Sequence, residues 1–448
     1  MSKNEISISA WTPPTNGWVR AYNGKEITEK IFYEDFRTEK RYQEYRDCGF
    51  DEMLFAGETK YVGEPFETSE LKMMLDLCAK CDIKAVVFDE RILSLTVKAQ
   101  KNIIGEFFDS ESAFDDFLRD CIKDYTNHPA FCGVSVIDEP FIAKKEILHE
   151  IARAMKRVCP QAVVHTCFNP LFCVAGGNME EVVLGKGKDS FDAYGNYIDA
   201  MSIPELGYFC YDDYPFKFWE GLPLEPKFIK TMQFVSRRCQ KNNLPYHMAI
   251  QSYAGNTVDK KGNDRMMDEA DLNWQANLAL GFGAKKIYYY TYWRFQTRGG
   301  INRPDIAIMN DDGTKILYEE AQRNNALIRR IFAEIGEYSY DKSQLLGNAE
   351  GNATLEEFVS EDVGLIQDYA VGSPVLVNSM TNGDKKAYMF FNCENPHIKK
   401  VNRVRVTLKD VKSEYNLLVR GRRMTVKAEN GEIILALEPG QAVWILDM

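Results

Sequence analysis

A chain of 448 residues exceeds the roughly 250–300 residues that one hydrophobic core usually organises, so we expect one large domain and one smaller domain. The chain is 45% hydrophobic and 27% charged, as in ordinary globular proteins, and its net charge of −11 without a basic run argues against a nucleic-acid partner. No stretch reaches the roughly 18 apolar residues of a membrane helix, and the N-terminus lacks the apolar core of a signal peptide, so we expect no membrane partner and a cytoplasmic location.

From residue 5 to about residue 335, short apolar runs alternate with longer helical patterns. The runs are continuous rather than alternating, which indicates strands that are buried on both faces. They lie at 6–11, 52–57, 84–90, 131–139, 162–168, 208–213, 246–252 and 286–293. Eight strand–helix units predict an α/β fold, a (β/α)8 TIM barrel, over residues 1–337. The competing doubly wound sheet is less consistent with the first turn, WTPPTNGW, because this turn lacks a glycine-rich phosphate-binding pattern.

After residue 340 the pattern changes to short strands that are separated by turn signals. Asn-Gly pairs at 382–383 and 430–431 and Pro-Gly at 439–440 mark the turns. The strand-like runs lie at 374–380, 386–392, 403–408, 414–420, 423–429, 432–438 and 441–448. They predict a small antiparallel β-sandwich over residues 353–448.

Polar and aromatic residues follow most of the predicted barrel strands. In such a barrel the active site lies at the C-terminal ends of the strands. The residues at those ends are Trp11, Glu58, Asp89, Asp138, Glu139, Asn169, Tyr211, Asp212, Asp213, Tyr214, Gln251, Tyr253, Tyr292 and Trp293. Carboxylates supply acid–base chemistry, and flat aromatic faces stack on sugar rings. This composition is typical of a glycosidase site.

The segment GVSVIDEP (133–140) is the strongest candidate for catalysis. Asp138 and Glu139 cannot both face inward in a regular strand, and Pro140 is expected to keep Glu139 in an extended conformation. Crowding with the carboxylates at 212–213 raises at least one pKa, as a general acid at neutral pH requires. These pairs can also be read as helix caps or solvated loops, and the aromatic residues at 292–293 as packing at the barrel rim.

The segment GVSVIDEP resembles the fourth-strand motif of clan-A barrel glycoside hydrolases, in which Asn-Glu-Pro carries the acid/base glutamate. Further stretches resemble the fifth helix to sixth strand, the seventh helix to eighth strand, the closing helix and the last sandwich hairpin of barrel β-galactosidases. These stretches lie at 197–216, 269–293, 308–331 and 437–448. The resemblance implies a glycoside hydrolase that acts at the end of a β-linked chain, with Glu139 as general acid/base and an aromatic end of strand eight lining the pocket.

The sequence departs from this family pattern at two positions. Asp138 replaces the asparagine of the fourth strand, and Gln251 stands where the family has its nucleophilic glutamate. A carboxamide cannot form the glycosyl ester of a retaining enzyme.

Three interpretations therefore remain open. In the first, Asp212 or Asp213 supplies the second carboxylate. In the second, the chain resembles substrate-assisted N-acetylhexosaminidases, in which Asp138 would orient a 2-acetamido group, Glu139 would protonate the leaving oxygen and Tyr211 would hold the acetamido carbonyl. In the third, the barrel binds carbohydrate without cleaving it.

Nothing in the sequence predicts a cofactor or a metal. The 11 cysteines are scattered and complete no zinc pattern, and no calcium-loop spacing is present. The expected partner is a carbohydrate substrate, and association into a homo-oligomer is left open.

Overall fold

The structure is a computed structural model that describes residues 5–22, 27–60, 64–171, 179–216, 224–253, 267–294, 297–298 and 307–448. Its strands are β1 (Ser7–Trp11), β2 (Trp18–Tyr22), β3 (Ile27–Phe32), β4 (Glu52–Lys60), β5 (Lys84–Asp89), β6 (Phe131–Ser135), β7 (Val163–His165), β8 (Phe209–Asp212), β9 (Tyr246–Gln251), β10 (Lys286–Tyr290), β11 (Thr297–Arg298), β12 (Ser339–Leu346), β13 (Ile366–Val371), β14 (Val375–Asn382), β15 (Lys385–Asn392), β16 (Asn402–Leu408), β17 (Glu414–Val419), β18 (Arg422–Lys427), β19 (Glu432–Leu437) and β20 (Ala442–Leu446). Its helices are α1 (Glu39–Asp47), α2 (Glu70–Lys80), α3 (Glu90–Lys98), α4 (Glu111–Ile122), α5 (Lys145–Val158), α6 (Glu180–Leu184), α7 (Ser190–Met201), α8 (Phe228–Lys241), α9 (Glu269–Gly281) and α10 (Tyr318–Ile335).

Eight parallel strands form one curled sheet in the order β7-β6-β5-β4-β1-β10-β9-β8. Its two ends meet between β7 and β8, where Phe168 and Tyr211 form a parallel bridge. The Phe168 N–H donates to the Cys210 carbonyl across this seam at 2.8 Å. The sheet is therefore a barrel, and the predicted fold class is confirmed.

Side chains alternate between the inside of the barrel and the helical layer, because successive residues of a strand point to opposite faces. The inner cluster is formed by Trp11, Leu54, Val86, Cys167, Tyr208, Cys210, Ala249 and Tyr288. The residues one position away, such as Val87, Tyr211 and Tyr289, belong to the outer core that packs against the helices. This alternation decides which strand-end residues face the mouth of the barrel.

A buried ion pair lies inside the barrel, at its N-terminal end. Lys286 Nζ contacts Glu52 Oε1 at 2.5 Å, and Ser9 Oγ donates to the same oxygen at 3.0 Å. Both charged residues are buried. This end of the barrel is thus closed by charge pairing, while its other end carries the candidate site.

The C-terminal domain is a sandwich of two antiparallel sheets, in the orders β12-β14-β15-β20-β17-β18 and β13-β16-β19. Its core includes Val377, Phe390, Val406, Leu435 and Ile445. Strand β12 pairs with β14, so the sandwich sheet begins at Ser339 rather than at residue 353. The sequence SYDKSQLL was overlooked because several of its residues are polar and only half-buried.

The sandwich is held against α9 of the barrel by buried amides. Asn378 Nδ2 donates to the Gly281 carbonyl at 3.0 Å, and Asn277 Nδ2 donates to the Gly440 carbonyl at 2.8 Å. These bonds satisfy carbonyl groups that burial would otherwise leave unpaired. Among the described helices, none combines the length and the apolar character needed to cross a membrane.

Candidate active site

Glu139 lies in the loop that leaves β6, with an unusual backbone conformation. Its φ angle is +44°, and its N–H donates to the Cys167 carbonyl at 2.8 Å. The prediction that Pro140 keeps this residue extended is wrong. A left-handed conformation in a non-glycine residue costs roughly 1–3 kcal/mol, and such strain persists where surrounding bonds fix the chain, often at functional sites.

The bonds that fix this loop converge on the carbonyl of Pro140. Tyr197 Oη donates to it at 2.7 Å, and Asn169 Nδ2 donates to it at 3.1 Å. Tyr194 Oη in turn donates to the Asn169 carbonyl at 3.0 Å. Asn169 was predicted to bind substrate, but its amide NH2 holds the loop that carries Glu139, so it positions the site instead.

Three carboxyl groups gather at the mouth: Asp138, Glu139 and Asp212. Asp138 and Glu139 are exposed, whereas Asp212 is buried at the end of β8, on the inner face that Cys210 also occupies. The three charges interact with one another. Within the described ranges no lysine or arginine forms an ion pair with any of them. The site therefore accumulates negative charge without local compensation.

Desolvation, and for Asp138 and Asp212 also the neighbouring charges, raises the pKa values of the cluster. Although Asp138 reaches solvent, surrounding protein displaces much of its water. This desolvation, followed by the neighbouring charge of Glu139, raises the pKa of Asp138 to about 7. Desolvation also raises the pKa of Glu139. Burial raises the pKa of Asp212 well above its usual value, and Glu139 and Asp138 raise it further, while a hydrogen bond from Tyr214 opposes the shift.

Cys167 lies beneath the carboxyl cluster and was not predicted from the sequence. Its Sγ donates to Asp212 Oδ1 at 3.8 Å, and burial raises the pKa of the thiol well above its usual value. The thiol is therefore a neutral donor to Asp212. One feature of the sequence could have identified Cys167. It lies two residues after His165, and residues two apart in a strand share a face, here the inward-facing one.

Four aromatic side chains line the mouth: Tyr290 and three that contact its ring. Tyr214 stacks on Tyr290 with ring centroids 5.6 Å apart, and Tyr253 meets the same ring edge-on at 5.6 Å. Trp11 approaches it at 6.2 Å. The structure thus brings together Trp11, Tyr214 and Tyr253, as predicted, and adds Tyr290, which the sequence analysis missed.

The predicted pocket residues Tyr292 and Trp293 lie elsewhere. Both are fully buried in the outer core. Tyr292 packs edge-on against Tyr45 at 4.7 Å, and Trp293 packs on Phe36 at 4.9 Å. The assignment to the pocket is wrong because β10 ends at Tyr290 and the following side chains pack into the helical layer.

Asp89 also faces away from the mouth. Its two oxygens accept hydrogen bonds from Arg91 at 3.0 and 2.7 Å and from Tyr125 Oη at 2.8 Å, and it caps α3. Because Val86 faces the interior, Asp89, three residues further on, faces the helices. Its predicted role in substrate binding is therefore replaced by a structural one.

The same alternation places Tyr211 and Asp213 on the outer face of the barrel, away from the mouth. Tyr211 is fully buried in the outer core and stacks on Tyr246, with ring centroids 5.9 Å apart. The charge of Asp213 acts on Tyr211, Tyr194 and Tyr246 of that layer. Tyr211 therefore cannot hold an acetamido carbonyl, and Asp212 is the member of the 212–213 pair that faces the site.

Gln251 uses its amide within the protein. Its Oε1 accepts from the Phe216 N–H at 3.0 Å, and its Nε2 donates to the Phe216 and Tyr253 carbonyls at 3.3 and 3.2 Å. It was predicted to bind substrate, but it ties together the segments that carry Tyr214 and Tyr253. The side chain of Glu58, also predicted to bind substrate, lies outside the described residues.

No described group of three or more His, Cys, Asp or Glu side chains has an arrangement that would hold a metal ion. A cavity of about 620 Å³ lies between α9, α10 and the sandwich, away from the mouth. Ion pairs line it, including Arg323 with Glu269 at 2.7 Å. This cavity is therefore separate from the carboxyl cluster at the mouth.

No family model matches the chain, and no curated protein is significantly similar to it in sequence. Solved structures are similar in fold. A protein described as a glycoside hydrolase is 12% identical with a TM-score of 0.54, over 99% of this chain and 92% of the other. A glycoside hydrolase family 5 protein from Bacteroides vulgatus is 11% identical with a TM-score of 0.54, and the match covers 99% of this chain and 88% of the other. These similarities confirm the fold, a (β/α)8 barrel followed by a β-sandwich.

Proposed function

We propose that the protein is a glycoside hydrolase in which Glu139 is the general acid/base and Asp212 is the second carboxylate. The observation that carries the proposal is the cluster of Asp138, Glu139 and Asp212 at the strand ends, with no described cation paired to it. Most glycoside hydrolases use two carboxyl groups that flank the scissile glycosidic bond. The sequence resemblance to barrel β-galactosidases supports the finer proposal of an exo-acting enzyme for a β-linked sugar.

Glu139 would donate its proton to the leaving glycosidic oxygen. Desolvation raises the pKa of Glu139, which favours the protonated form that a general acid needs. The bonds from Tyr197 and Asn169 to the Pro140 carbonyl orient the loop before substrate arrives.

Asp212 would act on the opposite side of the sugar ring. Burial and the charges of Glu139 and Asp138 oppose the ionised form of Asp212 that this role needs, whereas the hydrogen bond from Tyr214 favours it. A proton on Glu139 removes one of the opposing charges. Positive charge that develops at the anomeric carbon stabilises this carboxylate further. A separation from Glu139 of about 5–5.5 Å would make Asp212 a nucleophile, and about 6.5–9.5 Å would make it a base that activates water.

The aromatic side chains at the mouth provide a binding surface for the sugar. The rings of Tyr214 and Tyr253 both contact the ring of Tyr290, and all three side chains are only partly buried. Their rings offer faces to the C–H groups of a sugar, and their hydroxyl groups offer hydrogen bonds. The substrate we propose for this pocket is therefore a carbohydrate.

A second candidate is a substrate-assisted N-acetylhexosaminidase. It is favoured by the accessible Asp138, directly before Glu139, which could orient a 2-acetamido group. In this mechanism the acetamido oxygen of the substrate replaces the second carboxylate. Tyr211 does not serve it, because that side chain lies in the outer core.

The test is hydrolysis of paired 2-hydroxy and 2-acetamido aryl glycosides by the wild type and by Glu139→Gln. We expect the variant to lose roughly 10²–10⁴-fold in turnover, with a larger loss on poor leaving groups, which depend most on protonation. Glu429→Gln, an exposed change of the same kind in the sandwich, is the matched control.

Turnover confined to 2-acetamido sugars would show that the acetamido group of the substrate, rather than Asp212, takes the second role. An unchanged rate for Glu139→Gln on poor leaving groups would contradict the assignment of Glu139. If the folded wild type bound sugars but hydrolysed none, the protein would be a non-catalytic carbohydrate-binding barrel.

A further inference from the structure

The β2–β3 hairpin carries a second feature at the mouth side of the barrel. It follows the C-terminal end of β1, and β11, which follows β10, pairs with β2 through Thr297 and Arg20. Both β1 and β10 end at the candidate site, where Trp11 and Tyr290 lie 6.2 Å apart. The hairpin therefore stands on the side of the barrel that a glycan must approach.

One face of this hairpin is attached to the protein and the other is open. Val19 is 1% exposed and anchors the inner face. Trp18 pairs with Phe32, and Arg20 pairs with Lys30, in the antiparallel ladder. Positions two apart share a face, so all four of these side chains lie on the outer one.

The outer face combines aromatic surface with positive charge. Trp18 is 49% exposed and Phe32 is 52% exposed, with ring centroids 4.9 Å apart. Arg20 and Lys30 stand directly opposite each other, and within the described residues neither forms an ion pair. Like charges at directly opposed positions destabilise a strand pair, so an anion between them would relieve a repulsion that the free protein carries.

A cavity of about 290 Å³ lies on this face, lined by Trp18, Arg20 and Lys30. It has room for a sugar unit beside the indole ring, with both cations within reach of an acidic substituent. We propose that this face is a subsite for an anionic sugar residue of the glycan, stacked on Trp18, with its carboxylate or sulfate held between Arg20 and Lys30. The inference rests on the proposed function, because it extends the same binding cleft.

The experiment measures binding to the full-length Glu139→Gln protein, in which hydrolysis of the saccharides is expected to be slow. The probes are oligosaccharides of equal length: oligogalacturonides for carboxylate, carrageenan oligosaccharides for sulfate, and galactan oligosaccharides as the neutral form. Calorimetry should give about tenfold tighter binding for at least one anionic series, and the better series identifies the acidic group. Added salt should reduce the preference, because exposed charges are screened.

Two sets of variants test the assignment of residues. Arg20→Gln with Lys30→Gln should abolish the anionic preference, and Trp18→Ala should weaken binding of neutral and anionic chains alike. The matched controls in the sandwich are Lys385→Gln with Lys386→Gln and, for an exposed ring, Tyr369→Ala. The controls should leave both affinities unchanged.

The inference would be overturned if neutral chains bound as well as anionic ones, if the preference survived in the Arg20/Lys30 variant, or if the control pair reduced it equally. Tighter binding of a single-stranded oligonucleotide than of any saccharide would also overturn it. Hydrolysis of aryl glycosides by the wild type is scored separately. Hydrolysis without the anionic preference refutes only the subsite, and preference without hydrolysis refutes only the proposed reaction.

Discussion

The phenolic hydroxyl of Tyr197 donates to the backbone carbonyl of Pro140 at 2.7 Å, so a side chain of α7 fixes the residue that follows Glu139. Tyr197 is fully buried, and its hydroxyl group is within 3.4 Å of the Asn169 amide that shares the same acceptor. The orientation of the proposed acid is thus set by a residue that sequence reasoning did not select, from a helix far from it in the chain.

Tyr197→Phe should lower kcat roughly 10- to 100-fold with little change in KM, because the loop that carries Glu139 loses one of its two side-chain supports. Tyr415→Phe removes an equivalent bond, a tyrosine hydroxyl to the Asp410 carbonyl at 2.7 Å, in the sandwich. Each variant should cost about 1 kcal/mol of unfolding free energy. Only Tyr197→Phe should alter turnover and its pH profile; equal activity in the two variants would contradict the positioning role.

Asp212→Asn should reduce turnover roughly 10³-fold or more if Asp212 is the second carboxylate, because an amide neither attacks the anomeric carbon nor activates water. Azide should restore activity if the reaction proceeds through a glycosyl-enzyme, with glycosyl azide as the product. Asp213→Asn is the matched control, since its side chain lies in the helical layer; its effect should fall on thermal stability. A larger loss of turnover in Asp213→Asn than in Asp212→Asn would reverse the assignment.

The pKa of Asp138, raised from 3.8 to about 7, predicts a pH-dependent stability. A folded state that raises the pKa binds more protons than the unfolded state, so this stabilisation is full below pH 3.8 and is lost as the pH rises through about 7. Asp138→Asn mimics the protonated form. It should therefore raise Tm relative to the wild type above this range and have little effect below it.

The control for this titration is Asp384→Asn, at an exposed turn of the sandwich. Its Tm difference from the wild type should not follow the same pH window. A pH-independent effect of Asp138→Asn would show that the carboxyl group titrates normally in the folded protein.

Lys286→Met should cost about 3–5 kcal/mol of unfolding free energy, because it leaves the Glu52 carboxylate buried without its partner. The double change Glu52→Gln with Lys286→Met should recover part of this loss in chemical denaturation. Arg405→Met breaks an exposed pair with Glu432 at 2.9 Å and should cost less than about 1 kcal/mol. Similar costs for the two single variants would mean that the barrel pair is solvated.

The sequence predicted the barrel because its strands are continuous apolar runs, and each of the eight observed strands lies largely within a predicted run. Strands β12 and β13 were missed for the opposite reason. Four of the six residues of β13 are exposed, so it has neither a continuous nor a regularly alternating apolar pattern. Edge strands of a sandwich carry too little apolar signal to be distinguished from loops.

The candidate site was predicted as a set of strand ends, and the errors within it have two physical causes. Tyr290 and Tyr292 lie two positions apart, so strand alternation would give them the same face, but β10 ends at Tyr290 and Tyr292 packs into the outer core. The other cause is that the sequence does not show which of two adjacent residues faces the interior: Tyr288 does, whereas Tyr289 lies in the outer core. The same one-residue ambiguity separates Asp212 from Asp213, and only strand pairing resolves it.

The seam of the barrel lies between the two proposed catalytic groups. Glu139 is attached to one side through the Cys167 carbonyl, and Asp212 ends the strand on the other side. Phe168 and Phe209 stack across this seam with their ring centroids 4.3 Å apart. A shift of about 2 Å across the seam would change the distance between the two carboxyl groups from one that suits a nucleophile to one that suits a base that activates water. Under the proposed function, the anomeric configuration of the released sugar would therefore be determined by how tightly the barrel closes as much as by which carboxylates it carries.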